Sequence, residues 1–100
     1  MYYLERVAHV SYFHAGSPQL GEAVKEKARQ ANLLFLDNHG VLAYDTSIQE
    51  ALMGLQTLEI VCRMTITARS AGIELHSLPS STVADFLEKS GYRPRREWPK

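Results

Sequence analysis

The sequence predicts an α/β fold in which short strands alternate with helices. Two kinds of observation support this. Runs rich in valine, leucine and aromatic residues indicate strands, and amphipathic segments that begin with helix-capping residues lie between them. The order is strand, helix, strand, strand, helix, helix. The predicted strands are residues 7–13, 33–36 and 41–44, and the predicted helices are residues 18–30, 48–71 and 82–90.

The first strand and the first helix are separated by a short turn. The strand is rich in Val, Tyr and Phe, and it ends before Gly16. Ser17 can cap the amino end of a helix, and Pro18 suits the first helical position, where no amide proton is required. Leu20 and Val24 then lie on the apolar side of the helix, opposite a face of charged residues.

The second and third strands flank a polar turn that contains a histidine. Residues 33–36 and 41–44 are apolar, and Asn38 and Gly40 between them tolerate positive φ. The chain can therefore reverse direction at this point. His39 is expected to sit at the end of a rigid strand, which is the kind of fixed mounting that a metal ligand needs.

A long helix follows. Ser47 and Glu50 match a capping box, and Gly72 is a suitable stop. At 1.5 Å per residue the helix would be roughly 35 Å long. Its predicted inner stripe is Ile48, Ala51, Leu52, Leu55, Leu58, Cys62 and Ile66, and a second apolar side carries Met53, Ile60, Val61 and Met64. Because a helix apolar on two sides buries both, and because three strands make a thin sheet, we expect the chain to form an oligomer.

The last helix and the tail complete the chain. Val83, Phe86 and Leu87 form the inner stripe of the helix, and Gly91 ends it. Residues 92–100 are basic and aromatic with two prolines, so we expect them to be irregular. The arginines at positions 93, 95 and 96 could attract phosphate, although a solvated basic tail is the more usual outcome.

Composition narrows the functional classes. The 100 residues allow one small domain or part of a larger one. Eleven basic and eleven acidic residues argue against a dedicated nucleic-acid binder. The single cysteine, Cys62, fits a reducing compartment. No apolar stretch is long enough for a membrane span, and residues 1–6 lack the pattern of a signal peptide, so the cytoplasm is the expected location.

Several blocks of residues, in order, resemble the class II aldolase/adducin family. They are Tyr12-Phe-His-Ala-Gly-Ser-Pro-Gln-Leu20, Leu33-Leu-Phe-Leu-Asp-Asn-His-Gly-Val-Leu-Ala43 and Ser47-Ile-Gln-Glu-Ala-Leu52 with Glu59. The resemblance implies a three-layer α/β/α sandwich, of which this chain holds about three strands and three helices. It also implies a cytoplasmic homotetramer that binds a divalent metal, usually zinc, through three histidines. Members are metal-dependent aldolases, epimerases and decarboxylases that act on small sugar phosphates.

The resemblance assigns roles to two residues. His39 corresponds to the third metal histidine. Tyr92 matches, more loosely, a C-terminal tyrosine that orients substrate or donates a proton, and the alternative is an aromatic side chain that anchors the tail. Glu59 could support His39 or lie on the surface. His9 and His14 match no family ligand and are expected to be ordinary histidines.

The sequence departs from the family in one respect. The other two metal histidines form a His-X-His pair, and this sequence contains none. Residues 1–100 therefore resemble the C-terminal half of the domain, and we expect the isolated chain to be inactive because a catalytic zinc normally takes three protein ligands. Two alternatives remain open: a non-catalytic, adducin-like interaction module, and an Fe(II) oxygenase built on the same fold.

Overall fold

A computed structural model describes residues 4–99. Within that range the chain forms three strands and three helices, as the sequence predicts. The elements are β1 (Val7–Val10), α1 (Pro18–Ala28), β2 (Leu33–Leu36), β3 (Gly40–Ala43), α2 (Ile48–Ser70) and α3 (Ser80–Lys89). The fold is α/β.

The three strands form one mixed sheet in the order β1-β2-β3. Strands β1 and β2 are parallel, with Val7 opposite Leu33, and α1 connects them. Strands β2 and β3 form an antiparallel hairpin in which Leu36 lies opposite Gly40. The predicted first strand is longer than the observed one, which ends at Val10. Beyond Leu36, the partner of Val10, the chain turns into the hairpin, so residues 11–13 have no strand to pair with.

The core lies between the sheet and α1. Val10, Ala31 and Leu34 are buried at its centre. Partly buried side chains pack around them: Ala8, Leu20, Ala23, Val24, Leu36 and Tyr44. Because side chains alternate along a strand, Leu33 points to the opposite face, and it too is buried. Both faces of the thin sheet therefore contribute to the core.

The hydroxyls of Ser17 and Ser47 cap their helices as predicted, whereas the Glu50 carboxylate of the predicted capping box has a different partner. The hydroxyl of Ser17 accepts a hydrogen bond from the amide of Leu20 at 3.2 Å. The hydroxyl of Ser47 accepts one from the amide of Glu50 at 3.1 Å, which is half of a capping box. The Glu50 carboxylate accepts its hydrogen bond from the Thr46 hydroxyl instead.

The inner side of α2 differs from the predicted stripe. The buried residues are Gly54 and Leu58, whereas Ile48, Leu52 and Ile66 are exposed. Helix α2 contacts β3, and its buried glycine has no side chain to hold the two elements apart. The predicted stripe was right for Leu58, which is buried, and wrong for four of its bulky members, which are exposed: Ile48, Leu52, Leu55 and Ile66.

Much apolar surface of α2 consequently remains uncovered. The exposed large side chains on this helix are Ile48, Leu52, Met53, Leu55, Ile60, Val61, Met64 and Ile66. The radius of gyration is 15.4 Å, against about 13 Å for a compact chain of this length. Within residues 4–99 no helix is both long and apolar enough to cross a bilayer.

Candidate functional site

The hairpin between β2 and β3 presents His39. The amide of His39 donates to the carbonyl of Leu36 at 3.0 Å, which closes a four-residue turn. Asn38 at the third position has φ of 64°, and Gly40 has φ of 127°. Asp37 at the second position has a negative φ. A positive φ at the third position alone is typical of a type II turn, which favours asparagine and glycine there. The predicted conformational roles of Asn38 and Gly40 are confirmed.

Two contacts orient the imidazole of His39. Its Nε2 lies 2.8 Å from the carbonyl oxygen of Phe13, and since a carbonyl can only accept, Nε2 donates. The Tyr12 ring stacks against the imidazole, with centroids 5.5 Å apart and planes 20° apart. In the neutral ring the lone pair is then on Nδ1, the nitrogen that remains for coordination. His39 is exposed, as expected for a residue at a turn.

Tyr12 links His39 to a second histidine. The Tyr12 hydroxyl lies 2.9 Å from Nδ1 of His14, and the two rings meet edge to face at 5.5 Å. Beside them is a groove of about 320 Å³ that Ser17 helps to line. The sequence predicts an ordinary histidine at position 14. The only signal that could have grouped it with His39 is its place in the block Tyr12-Phe-His-Ala-Gly-Ser-Pro-Gln-Leu20.

The other acidic and histidine candidates have different partners. Nε2 of His9 lies 2.5 Å from a carboxylate oxygen of Asp37. Glu59 pairs with Arg63 one helical turn away at 3.4 Å, so it does not support His39. His76 is exposed in the segment between α2 and α3.

These positions do not make a complete zinc site. A catalytic zinc normally takes three protein ligands. Across residues 4–99 no three side chains of His, Cys, Asp or Glu converge on one point. His39 is mounted as a ligand would be, but the described part of the chain does not fit a zinc ion without ligands from elsewhere.

Tyr92 lies at the other end of the sheet. Its hydroxyl donates to the Glu5 carboxylate at 3.0 Å, and its ring faces Phe86 at 6.4 Å. Glu5 precedes β1, whereas His39 follows β2, and these strands are parallel. A four-residue strand, about 13 Å long, therefore separates the two ends. Within one chain, Tyr92 and His39 do not share a site.

The tail is docked rather than solvated. Arg95 pairs with Asp45 at 3.0 Å and with Glu5 at 3.5 Å, and the two carboxylate side chains are 1% and 3% exposed. The backbone amide of Arg95 donates to Glu5 at 2.6 Å, and the indole of Trp98 donates to the same carboxylate at 3.0 Å. We call these residues the tail clamp: Glu5, Asp45, Tyr92, Arg95 and Trp98. Its partners are far apart along the chain, so local sequence patterns do not indicate it.

Residues 1–66 match the family profile described as the class II aldolase and adducin N-terminal domain. This chain belongs to the class II aldolase and adducin family. His39 lies inside the matched region, whereas Tyr92 and the other tail residues lie outside it. The family assignment made from the sequence is confirmed.

Two Pseudomonas proteins are similar to this class II aldolase-family chain. A protein of Pseudomonas aeruginosa that carries the name aldolase class 2 protein is 30% identical, over 75% of this chain and 34% of its own length. The crystal structure of an aldolase II superfamily protein from Pseudomonas syringae superposes with a TM-score of 0.62 and 33% identity. That match covers 89% of this chain and 37% of the other. The chain thus spans about a third of the length of these relatives.

Proposed function

We propose that this chain supplies the metal-binding hairpin of a metal-dependent class II aldolase, epimerase or decarboxylase that acts on a small sugar phosphate. Family membership supports the reaction class. The observation that carries the proposal is the mounting of His39, because its ring is exposed while the Phe13 carbonyl and the Tyr12 ring hold it in place. Such restraint of an imidazole through its second nitrogen is typical of metal-ligating histidines.

The metal would be zinc, with His39 as one ligand through Nδ1. Since the described residues offer one such ligand and not three, the remaining ligands must come from outside residues 4–99 or from another chain. We therefore assign no chemical step to this chain alone. Its contribution is to present the imidazole at a defined place and in a defined tautomer.

Tyr92 is better explained as an anchor than as an acid or base of this site. Its hydroxyl is bonded to the buried Glu5 carboxylate at the end of the sheet opposite His39. We propose that it holds the tail against the sheet.

A homo-oligomer, a tetramer as in the family, would cover the apolar sides of α2. The exposed Ile60, Met64 and Ile66, each more than half exposed, support this proposal. The cytoplasm is the proposed location, because Cys62 is a free, half-buried thiol of the kind found in reducing compartments.

A non-catalytic, adducin-like interaction module is the second candidate. The lack of a three-ligand cluster within residues 4–99 favours it. Metal binding separates the two candidates, since an interaction module has no need of a metal at His39.

Zinc titration of the purified chain, followed by the histidine ring signals in ¹H–¹⁵N NMR spectra, tests the proposal. We expect weak binding that shifts the His39 ring nitrogens, with Nδ1 as the coordinating atom. His39→Ala should abolish the response, and His76→Ala, which changes an exposed histidine outside the hairpin, should leave it unchanged. Equal responses at His39 and His76, or none at His39, would contradict the proposed role. Stoichiometric zinc that survives dialysis would contradict the incomplete site, and bound iron would indicate the oxygenase.

A further inference from the structure

We propose that the tail forms a second binding site, specific for a phosphate group, at the end of the sheet opposite His39. The site is an open groove of about 660 Å³ beside the tail clamp. Arginines at positions 6, 93, 95 and 96 line it together with Pro94, Glu97 and Trp98. Nothing in the proposed metal chemistry of His39 uses these residues.

Among residues 4–99, three of the four arginines have no carboxylate partner. Arg95 is paired with Asp45 and Glu5. Within residues 4–99, in contrast, Arg6, Arg93 and Arg96 form no ion pair with a carboxylate. Arg6 donates to the carbonyl of Pro99 at 3.0 Å and Arg93 to the carbonyl of Tyr92 at 2.9 Å, which leaves further N–H groups on each guanidinium.

The only indole of the chain brings two of these charges together. The guanidinium carbons of Arg6 and Arg96 lie 5.4 Å and 5.2 Å from the centre of the Trp98 ring. Arg96 also lies 5.4 Å from the centre of the Tyr44 ring. Aromatic faces attract each cation, but they do not cancel the repulsion between two of them. An anion in the groove would offset the repulsion between the two guanidinium groups. Its oxygens would also accept hydrogen bonds from the N–H groups that have no acceptor.

The charge and geometry of the groove favour a phosphate group. The groove has four arginines and one carboxylate, Glu97. Even with Glu5 and Asp45, the buried partners of Arg95, the carboxylates number three. Guanidinium groups present paired N–H donors that match phosphate oxygens, and a phosphate dianion can contact several arginines at once. The ligand is therefore free phosphate or the phosphate group of a small ester.

The test uses Trp98, the single tryptophan of the sequence, as a built-in reporter. The full chain is titrated with inorganic phosphate and, separately, with glycerol phosphate, at constant ionic strength set with sodium chloride. We expect a saturable change in Trp98 emission, confirmed by equilibrium dialysis of labelled phosphate. Tighter binding of one of the two ligands identifies the source of the phosphate group.

Variants define the site. Arg96→Gln and Arg93→Gln should each weaken binding about tenfold, the loss expected for one hydrogen bond to a charged group. Arg96→Lys keeps the charge but not the paired donors, so it should lose less. Arg63→Gln, an exposed arginine on α2, and His39→Ala should bind phosphate as the parent chain does. Equal responses to phosphate and to sodium chloride alone, or unchanged binding by Arg96→Gln and Arg93→Gln in the dialysis measurement, would overturn the proposal.

Discussion

Replacing Arg95 with methionine tests how much the tail clamp stabilises the fold. Methionine keeps most of the apolar stem of arginine and removes only the charge and its N–H donors. The Asp45 and Glu5 side chains, 1% and 3% exposed, would then lose the guanidinium that pairs with both of them. A buried carboxylate without a partner charge is costly, because neither water nor a cation compensates for its lost hydration.

The magnitude follows from what the carboxylates retain. Removing one partner of a buried ion pair costs about 3–5 kcal/mol. Asp45 keeps donors from Asn32 at 3.2 Å and from the amide of Thr46 at 2.8 Å. Glu5 keeps those from Tyr92 and Trp98. Because these donors remain, the cost of Arg95→Met should lie at the low end of the range of about 3–5 kcal/mol. We therefore expect a loss of about 3 kcal/mol in the free energy of unfolding.

Urea unfolding measures this loss, followed by far-ultraviolet circular dichroism at one fixed protein concentration. With a slope of about 2 kcal/mol per molar urea, the midpoint should fall by about 1.5 M. Arg63→Met is the matched control, since its pair with Glu59 is 76% and 69% exposed. Such a pair contributes at most about 1 kcal/mol, and the control midpoint should hardly move.

A further variant separates charge from packing. In the Arg95→Met background, Glu5→Gln together with Asp45→Asn removes both buried charges and should restore part of the lost stability. Equal midpoints for Arg95→Met and Arg63→Met would refute the reasoning. So would a triple variant that is less stable than Arg95→Met, because the cost would then lie in packing rather than in charge.

Three further predictions concern the turn, the core tyrosine and the assembly. Asn38→Val should destabilise the chain by about 1–2 kcal/mol in urea unfolding, because a β-branched residue is strained in the left-handed conformation of position 38. Asn38→Gly should be nearly neutral, and equal effects of the two variants would contradict this. Burial raises the pKa of Tyr44 above 10.0, with Arg96 opposing the rise. The contribution of Tyr44 to stability is therefore fully present below pH 10 and is lost as the pH rises through the folded-state pKa. Tyr44→Phe should reduce this loss of stability at alkaline pH, measured as melting temperature over a pH series. Sedimentation velocity at micromolar concentration should show an oligomer. A compact monomer that melts cooperatively would contradict the proposal that oligomer contacts cover the apolar surface of α2.

Local sequence signals determined the elements and the turn that presents His39. Ser17 and Ser47 cap helices because each hydroxyl reaches an amide three residues ahead. Asn38 and Gly40 form the hairpin turn because few other residues accept positive φ. These interactions join residues close in the chain, so the sequence alone indicates them.

Tertiary structure alone decided which faces are covered and where the tail lies. Periodicity showed that α2 is apolar, but contact with the sheet selected Gly54 and Leu58 as its inner side and left Ile48 and Ile66 exposed. The tail clamp joins Arg95 to residues 50 and 90 positions away. Contacts over such distances depend on how the whole chain folds. Closing a long loop costs conformational entropy, and only the assembled core offsets that cost. The sequence therefore predicted the turn that presents His39. Only the fold showed that Phe13 and Tyr12 hold its ring, and that Tyr92 and the arginines lie at the other end of the sheet.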